Sequence, residues 1–389
     1  MPQIPAGWEE TTLGEIADIT MGQSPKWETY NDKGDGIPFY QWITEFWEKF
    51  VRIKTYSSQP IKIVEPNTIL FSVRAPVWKI NITKHKACIG RWNAWLFMKN
   101  KEQEFLFYLL KYLEKQFLNR SSGTVFDSIN RTEIENLPIH LPPLPEQQAI
   151  AAVLSSFDDK IELLRAENQT LEQMGQELFK ERFGKWKVGD ELPEGWRVGK
   201  IEDLTNYIAS WGTPATKEAS YYGWRINWFS TKELQDCFLF SSEKTITEDA
   251  LKNSSAKEFP KDTVLMAIYA APTVWRLWIL TQSSAFNQAA VGLVAKDDIW
   301  MPFIYLLLKF HRDNFNNLAN WAAQQNLNVS LVKNYEIPIP DQETLNQFDL
   351  VIKPLFNKIR ANSEQIQSLS ATRDLLLPKL MSGEVRVEF

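Results

Sequence analysis

The chain has 389 residues, 44% of them apolar and 23% charged, with 2 Cys, 3 His and a net charge of −5. That length predicts two or three domains, and that apolar content supports packed cores and excludes global disorder. The longest apolar runs, such as 304–308, are too short to cross a bilayer, the opening residues lack a signal-peptide pattern, and so few Cys and His support neither a disulfide framework nor an ordinary zinc site; a soluble, cytoplasmic protein with no membrane partner is expected.

From the N-terminus, residues 1–143 are expected to form a first mixed domain. FVRIKTY, IKIVEP, TILFSV and INIT read as strands, rich in β-branched residues and separated by turn clusters at 30–38 and 121–124. Within this domain, residues 51–100 hold nine Lys/Arg against one acid, Glu65. A net +8 stretch in an acidic chain points to a surface for a polyanion, or else to a solvated face of a strand-rich region. KEQEFLFYLLKYLEKQFLN (101–119) reads as an amphipathic helix. LPPLPEQQ (141–148) then opens a long helix, assigned to 144–184. Residues 185–340 form a second mixed domain, with MPFIYLLLKFHRDNFNNL (301–318) as the counterpart of the first amphipathic helix. Residues 341–389 carry a second long helix.

The chain repeats itself. GWEETTLGEIADIT from Gly7 answers GWRVGKIEDLTNYI from Gly195, and ILFSVRAPVWKINIT (69–83) answers VLMAIYAAPTVWRLWILT (264–281). The proline-rich breaks and the long helices repeat as well. The offset drifts from 188 to about 200, as loop insertions would make it. Each copy is therefore one α+β domain with a small sheet followed by one helix.

In the first long helix Ile150, Leu154, Phe157, Ile161, Leu164, Leu171 and Leu178 fall at alternating spacings of four and three, broken by Asn168. In the second, Leu345, Phe348, Ile352, Leu355, Ile359, Ile366, Leu369 and Leu376 do so, broken by Asn362 and Arg373. These are heptad seams, and a buried Asn in such a seam trades stability for register. A helix packed on its own globular domain would show a wider stripe. The expectation is an antiparallel coiled coil holding two similar domains about a pseudo-twofold axis. A helix of about 38 residues spans ~57 Å. Two unlike domains on such a spacer are suited to two half-sites one turn of B-DNA apart.

At this point the sequence resembles the specificity subunits of type I restriction–modification systems. The resemblance is carried by LPPLPEQQAIAAVLSSFDDKIELL (141–164), NYEIPIPDQETLNQF (334–348) and LLLPKLMSGEVRV (375–387). The openings GWEETTLGEIADITMGQSPK and IASWGTPATKEA, and the AP-V motifs at Ala75–Val77 and Ala271–Val274, are similar too. It implies two target recognition domains and two helical spacers, a subunit that reads a bipartite, asymmetric double-stranded DNA site and docks methyltransferase subunits. It also implies that S-adenosylmethionine, ATP and Mg belong to the methyltransferase and restriction subunits, while this chain holds no cofactor, metal or catalytic residue. In agreement, there is no GxxxxGK[ST] loop, and His85, His140 and His311 stand in no nucleophile or metal arrangement. The other readings are a coiled-coil adaptor pairing two protein- or RNA-binding domains, and an enzyme with an unrecognised nuclease site.

Candidate DNA contacts are polar and basic residues of loops and exposed strands. In the first domain these are Gln23, Ser24, Lys26, Tyr40 and Gln41, with the basic residues Arg74, Lys79, Lys84, Lys86 and Arg91. Lys84 and Lys86 most resemble a phosphate clamp. In the second they are Thr213, Ser230, Thr231, Lys232, Arg276, Asn287, Gln288, Gln324 and Gln325.

One count is out of line: 16 Trp equals 16 Gly. Gly at about 4% falls below the usual ~7%. Twelve tryptophans stand where the family pattern or a turn-like context calls for glycine: Trp27, Trp42, Trp47, Trp78, Trp92, Trp95, Trp211, Trp224, Trp275, Trp278, Trp300 and Trp321. One reading is UGA translated as Trp where the host reads Gly, since an indole resists the positive φ and close approaches that Gly allows. The rival reading is that these tryptophans stack on bases or fill cores.

Overall fold

The computed structural model describes residues 5–46, 49–120, 128–233, 237–268, 276–315 and 328–387. It has two compact units: Met1–Glu162 with Gln367–Phe389, and Leu163–Ile366.

The core of the first unit is a four-stranded antiparallel sheet in the order Ala17–Met21, Asn93–Met98, Ile69–Ser72, Ile80–Ile82. The run at Ile69–Ser72 is buried on both faces, and its alternation divides the interior in two. Ile69 and Phe71 join the buried residues Phe105–Leu110 of the helix Gln103–Arg120, whereas Leu70 joins Tyr40, Val64 and Ile89 of a smaller sheet. In that smaller sheet Ile37–Tyr40 runs parallel to Ala87–Ile89.

The second unit repeats the plan. Val264–Ala267 lies between Ala290–Ala295 and Leu277–Leu280. Val264 and Met266 face the core that includes the helix Met301–Phe310, while Leu265 and Ala267 face Phe229 and Phe286 of a smaller sheet. There Tyr222–Phe229 runs parallel to Ala285–Phe286.

Backbone bonds set the two copies in register. Gly90 N–H donates to Tyr40 O at 2.9 Å, and Asn287 N–H to Phe229 O at 2.9 Å. Val73 N–H donates to Trp92 O at 2.8 Å, and Ile268 N–H to Ala289 O at 2.8 Å. Gln41 therefore corresponds to Ser230, Gly90 to Asn287 and Arg91 to Gln288.

The long helices are Leu144–Phe183 and Gln342–Met381, 40 residues each. Within the first unit Leu154 shares a core with Leu377, Leu380 and Met381. Arg373, the charged break in the seam, meets Asp158 at 2.5 Å. Within the second unit the predicted seam asparagines pair. Asn362 Nδ2 donates to Asn168 Oδ1 and to Glu167 Oε2, both at 2.9 Å, and Asn168 Nδ2 donates to Ser363 Oγ at 3.1 Å. In both units the helix segments run antiparallel, as expected, and the fold class is α+β. The apolar stripe is wider than a two-stranded seam. Phe348, Ile352, Phe356 and Ile359 also bury against the second unit's own core, and Phe157, Leu171, Leu355 and Leu369 are only half-buried. Leu164, Ile161 and Ile366 are buried.

His311 packs between Phe310 and Tyr335, and burial pulls its imidazole down to about 4. An unfolded His titrates near 6.5, so the native state binds fewer protons below that pH. Stability from His311 is fully present above pH ~6.5 and falls as pH drops towards about 4. His311→Gln is expected to lose less Tm than the parent between pH 7 and pH 5; equal losses would remove His311 as the cause.

Candidate nucleic-acid interface

In each copy the two parallel strands of the smaller sheet end side by side, so the loops that follow them emerge together. In the first copy Ser24 Oγ donates to Gln41 Oε1 and accepts Arg91 N–H at 3.1 Å, and Gln23 N–H donates to Ile89 O at 2.9 Å. Gln23, Ser24, Gln41 and Arg91, four of the predicted contacts, thus converge. Gln23, Lys26 and Arg91 are exposed, and Ser24 is half-buried. Gln41 is buried and engaged by Ser24, which orients it. Tyr40 is fully buried, so it supports the loop from within and does not present a ligand-facing hydroxyl.

In the second copy Ser230 leads the loop after Phe229, and Asn287 and Gln288 follow Phe286. Ser210 Oγ donates to Gln288 O at 3.2 Å. Gln288 is exposed, while Thr213, Ser230, Thr231, Arg276 and Asn287 are half-buried. The side chain of Lys232, and all of Gln324 and Gln325, lie outside the described residues.

Two carboxylates that the sequence reading missed hold these loops. Glu45 accepts Gln41 N–H at 2.9 Å and Trp42 N–H at 3.2 Å. Burial raises its carboxyl to about 7, against those backbone donors. Glu233 accepts Ser230 N–H at 2.8 Å, the Ser230 hydroxyl at 2.9 Å and Glu243 N–H at 2.7 Å. Ser230-Thr-Lys-Glu233 has the spacing of a capping box, a signal that was legible in the sequence.

The basic stretch is less free than its net charge implies. Lys84 pairs with Glu162 at 3.6 Å and lies 4.0 Å over the Phe50 ring, Lys86 pairs with Glu65 at 3.0 Å, and Lys79 with Glu114 at 2.5 Å. Glu162 and Glu114 come from outside residues 51–100, so the fold supplies counter-charges that a local count omits. Arg74 and Arg91 are exposed. Among the described residues no group of three His, Cys, Asp or Glu could hold a metal, and no helix is long and apolar enough to cross a membrane.

A type I restriction modification DNA specificity domain model matches residues 5–173 and again 193–370, so each sheet-and-helix copy is one such domain. The chain belongs to the type I restriction–modification DNA specificity family. It is the DNA specificity subunit of such a system, a non-catalytic component of the complex. The MjaIX specificity subunit of Methanocaldococcus jannaschii is 28% identical over 99% of this chain and 95% of its own length. The HindI specificity subunit of Haemophilus influenzae is 25% identical over 72% of this chain and 77% of its own. The S subunit structure from M. genitalium has the same fold, with a TM-score of 0.58 and 16% identity over 98% of each chain.

Proposed function

We propose that this specificity subunit reads a split, asymmetric double-stranded DNA site through two equivalent loop sets, one in each recognition domain. The observation that carries this is the shared backbone register with different side chains. Gln41 and Arg91 stand in one copy where Ser230 and Gln288 stand in the other. Arg91 suits a guanine edge, and Gln288 suits adenine. Glu45 and Glu233 are positioning residues that set the loops without touching bases.

The long helices dock the methyltransferase subunits. Their support is the set of apolar side chains left in solvent: Leu163 is 60% exposed, Leu350 77% and Leu375 63%. Methyltransferase subunits bring S-adenosylmethionine, and restriction subunits bring ATP and Mg, in the cytoplasm where the host DNA lies. The net charge of −5 fits a reader whose clamp on DNA is completed by partners.

The test is a methylated-adenine map of DNA from cells expressing the chain with its neighbouring modification subunit. A split motif with two short half-sites and a fixed gap is expected. Arg91→Ala is expected to relax one half-site and Gln288→Ala the other, each by about 1–3 kcal/mol of discrimination. Both substitutions acting on the same half-site would overturn the two-head assignment. Co-purification without any methylation would favour the adaptor reading.

A further inference from the structure

We propose that the native protein carries glycine at positions 78 and 211, each encoded by a UGA codon that its own ribosomes read as glycine. Translation with UGA as Trp removes Gly and adds Trp and touches nothing else, the direction seen in the equal counts of 16 and 16.

Trp78 has φ +73°. The other described non-glycine residues with positive φ are Asn67, Lys101 and Asp262. Asn and Asp tolerate that region, and a side chain as bulky as an indole there is an outlier. The turn itself imposes the conformation. Trp78 N–H donates to Ser72 O at 3.0 Å, Lys79 N–H to Ser72 Oγ at 2.8 Å and Ser72 N–H to Lys79 O at 2.9 Å. In the second copy Met266 pairs with Leu277 as Phe71 pairs with Ile80, and Trp275 lies outside the described residues.

Trp211 is identified by its partner in the other copy. Thr20 pairs with Trp95, and Ala209 with Gly292, so Gly22 and Trp211 are equivalent. A Cβ at Gly22 would lie 2.2 Å from Gly90 O and 2.7 Å from Asn93 O, both backbone atoms that cannot give way. The first copy's ladder runs to Met21–Ala94 and continues through Gly22 N–H to Asn93 O, while the second stops at Ala209–Gly292. The strand ends early where the indole stands, and Trp211 is 39% exposed.

Trp78 is itself 1% exposed, beside Phe71 and with Nε1–H donating to Leu110 O at 3.4 Å, so its case rests on the backbone dihedral and not on a lack of packing. Other tryptophans in the set of twelve have a packing reason without a positive φ. Trp95 corresponds to Gly292, whose Cβ would meet the Phe259 ring at 2.7 Å and the Phe286 ring at 3.0 Å. The first copy has Val64 and Ile89 at those two places, and Trp95 fills the space they leave. Trp278 is 2% exposed in a complete core. The two positions are therefore singled out by backbone geometry and not by composition alone, and the inference does not rest on how DNA is read.

The test has two arms. Genomic codons and tandem mass spectra of the protein from its native cells are expected to show UGA and glycine at 78 and 211. UGG, or a Trp-containing peptide, at either position overturns the proposal. In the second arm, full-length chains with W78G, W211G and, as control, W95G are compared by thermal unfolding. W78G is expected to raise Tm by about 2–4 °C, while W95G lowers it. A W78G chain that loses Tm or fails to fold, as a chain normally does when a native buried Trp is truncated, overturns it equally.

Discussion

Glu146→Ala is expected to destabilise the first unit by about 2–3 kcal/mol. Glu146 is fully buried at the start of the helix Leu144–Phe183. Its carboxylate accepts Trp8 Nε1–H at 3.0 Å and both Nε–H and Nη2–H of Arg386, at 2.5 and 2.8 Å. Arg386 Nη1–H in turn donates to Ala6 O at 3.1 Å. One side chain thus ties the N-terminal and C-terminal segments to a helix start, where an acid is also favoured by the helix dipole. Breaking a fully buried pair costs about 3–5 kcal/mol; the lower figure applies because the Arg386 side chain is 43% exposed and partly solvated. Chemical denaturation of the full chain measures it. A change below about 0.5 kcal/mol, the scale of an ordinary surface substitution, would refute the clamp.

The second large effect concerns Asp158, inside the same unit. It accepts the Tyr108 hydroxyl at 2.6 Å and Arg373 Nη1–H at 2.5 Å, and its side chain is 7% exposed. Burial, then the Asp158 charge, raise the Tyr108 hydroxyl, so it stays protonated and donates. Asp158→Ala leaves the buried Tyr108 hydroxyl without its acceptor, while the Arg373 guanidinium, 23% exposed, keeps only Asp374 at 3.0 Å among the described residues, at an expected cost of about 2–3 kcal/mol. The double variant Asp158→Leu, Arg373→Leu removes both charges and restores an apolar seam. It is expected to recover the part of that loss due to the unpaired charge, since buried pairs seldom outperform well-packed apolar residues, while the Tyr108 hydroxyl still lacks its acceptor. A double variant as unstable as the single one would show that the pair is needed for more than charge balance.

Arg373 shows how far the sequence reaches. As a break in a heptad pattern it was legible, because helical periodicity is local and repeats every few residues. Its partner Asp158, 215 positions away, was not. The asparagines fared better. Asn168 and Asn362 occupy matching breaks in two seams, and they do meet. The width of the stripe was not legible, because Phe348 and Ile359 bury against sheet-domain residues whose placement depends on the whole second unit.

The sequence alone determined the two-copy α+β plan, the paired helices and the family, because each is written in periodicity, in repeated segments and in contiguous motifs. It also brought forward Gln23, Ser24, Gln41 and Arg91 as polar residues of loops. Only the tertiary structure decided that these four converge, that Arg91 and Gln288 are counterparts, that Tyr40 points inward, and that Lys84 and Lys86 already have acidic partners. Those outcomes depend on strand register and on charges brought in from distant segments, and neither is encoded in a local window. The tryptophans divide the same way. Their excess is a matter of counting, but a positive φ at Trp78 and a glycine opposite Trp211 exist only once the backbone has folded and its hydrogen bonds have set the two copies in register.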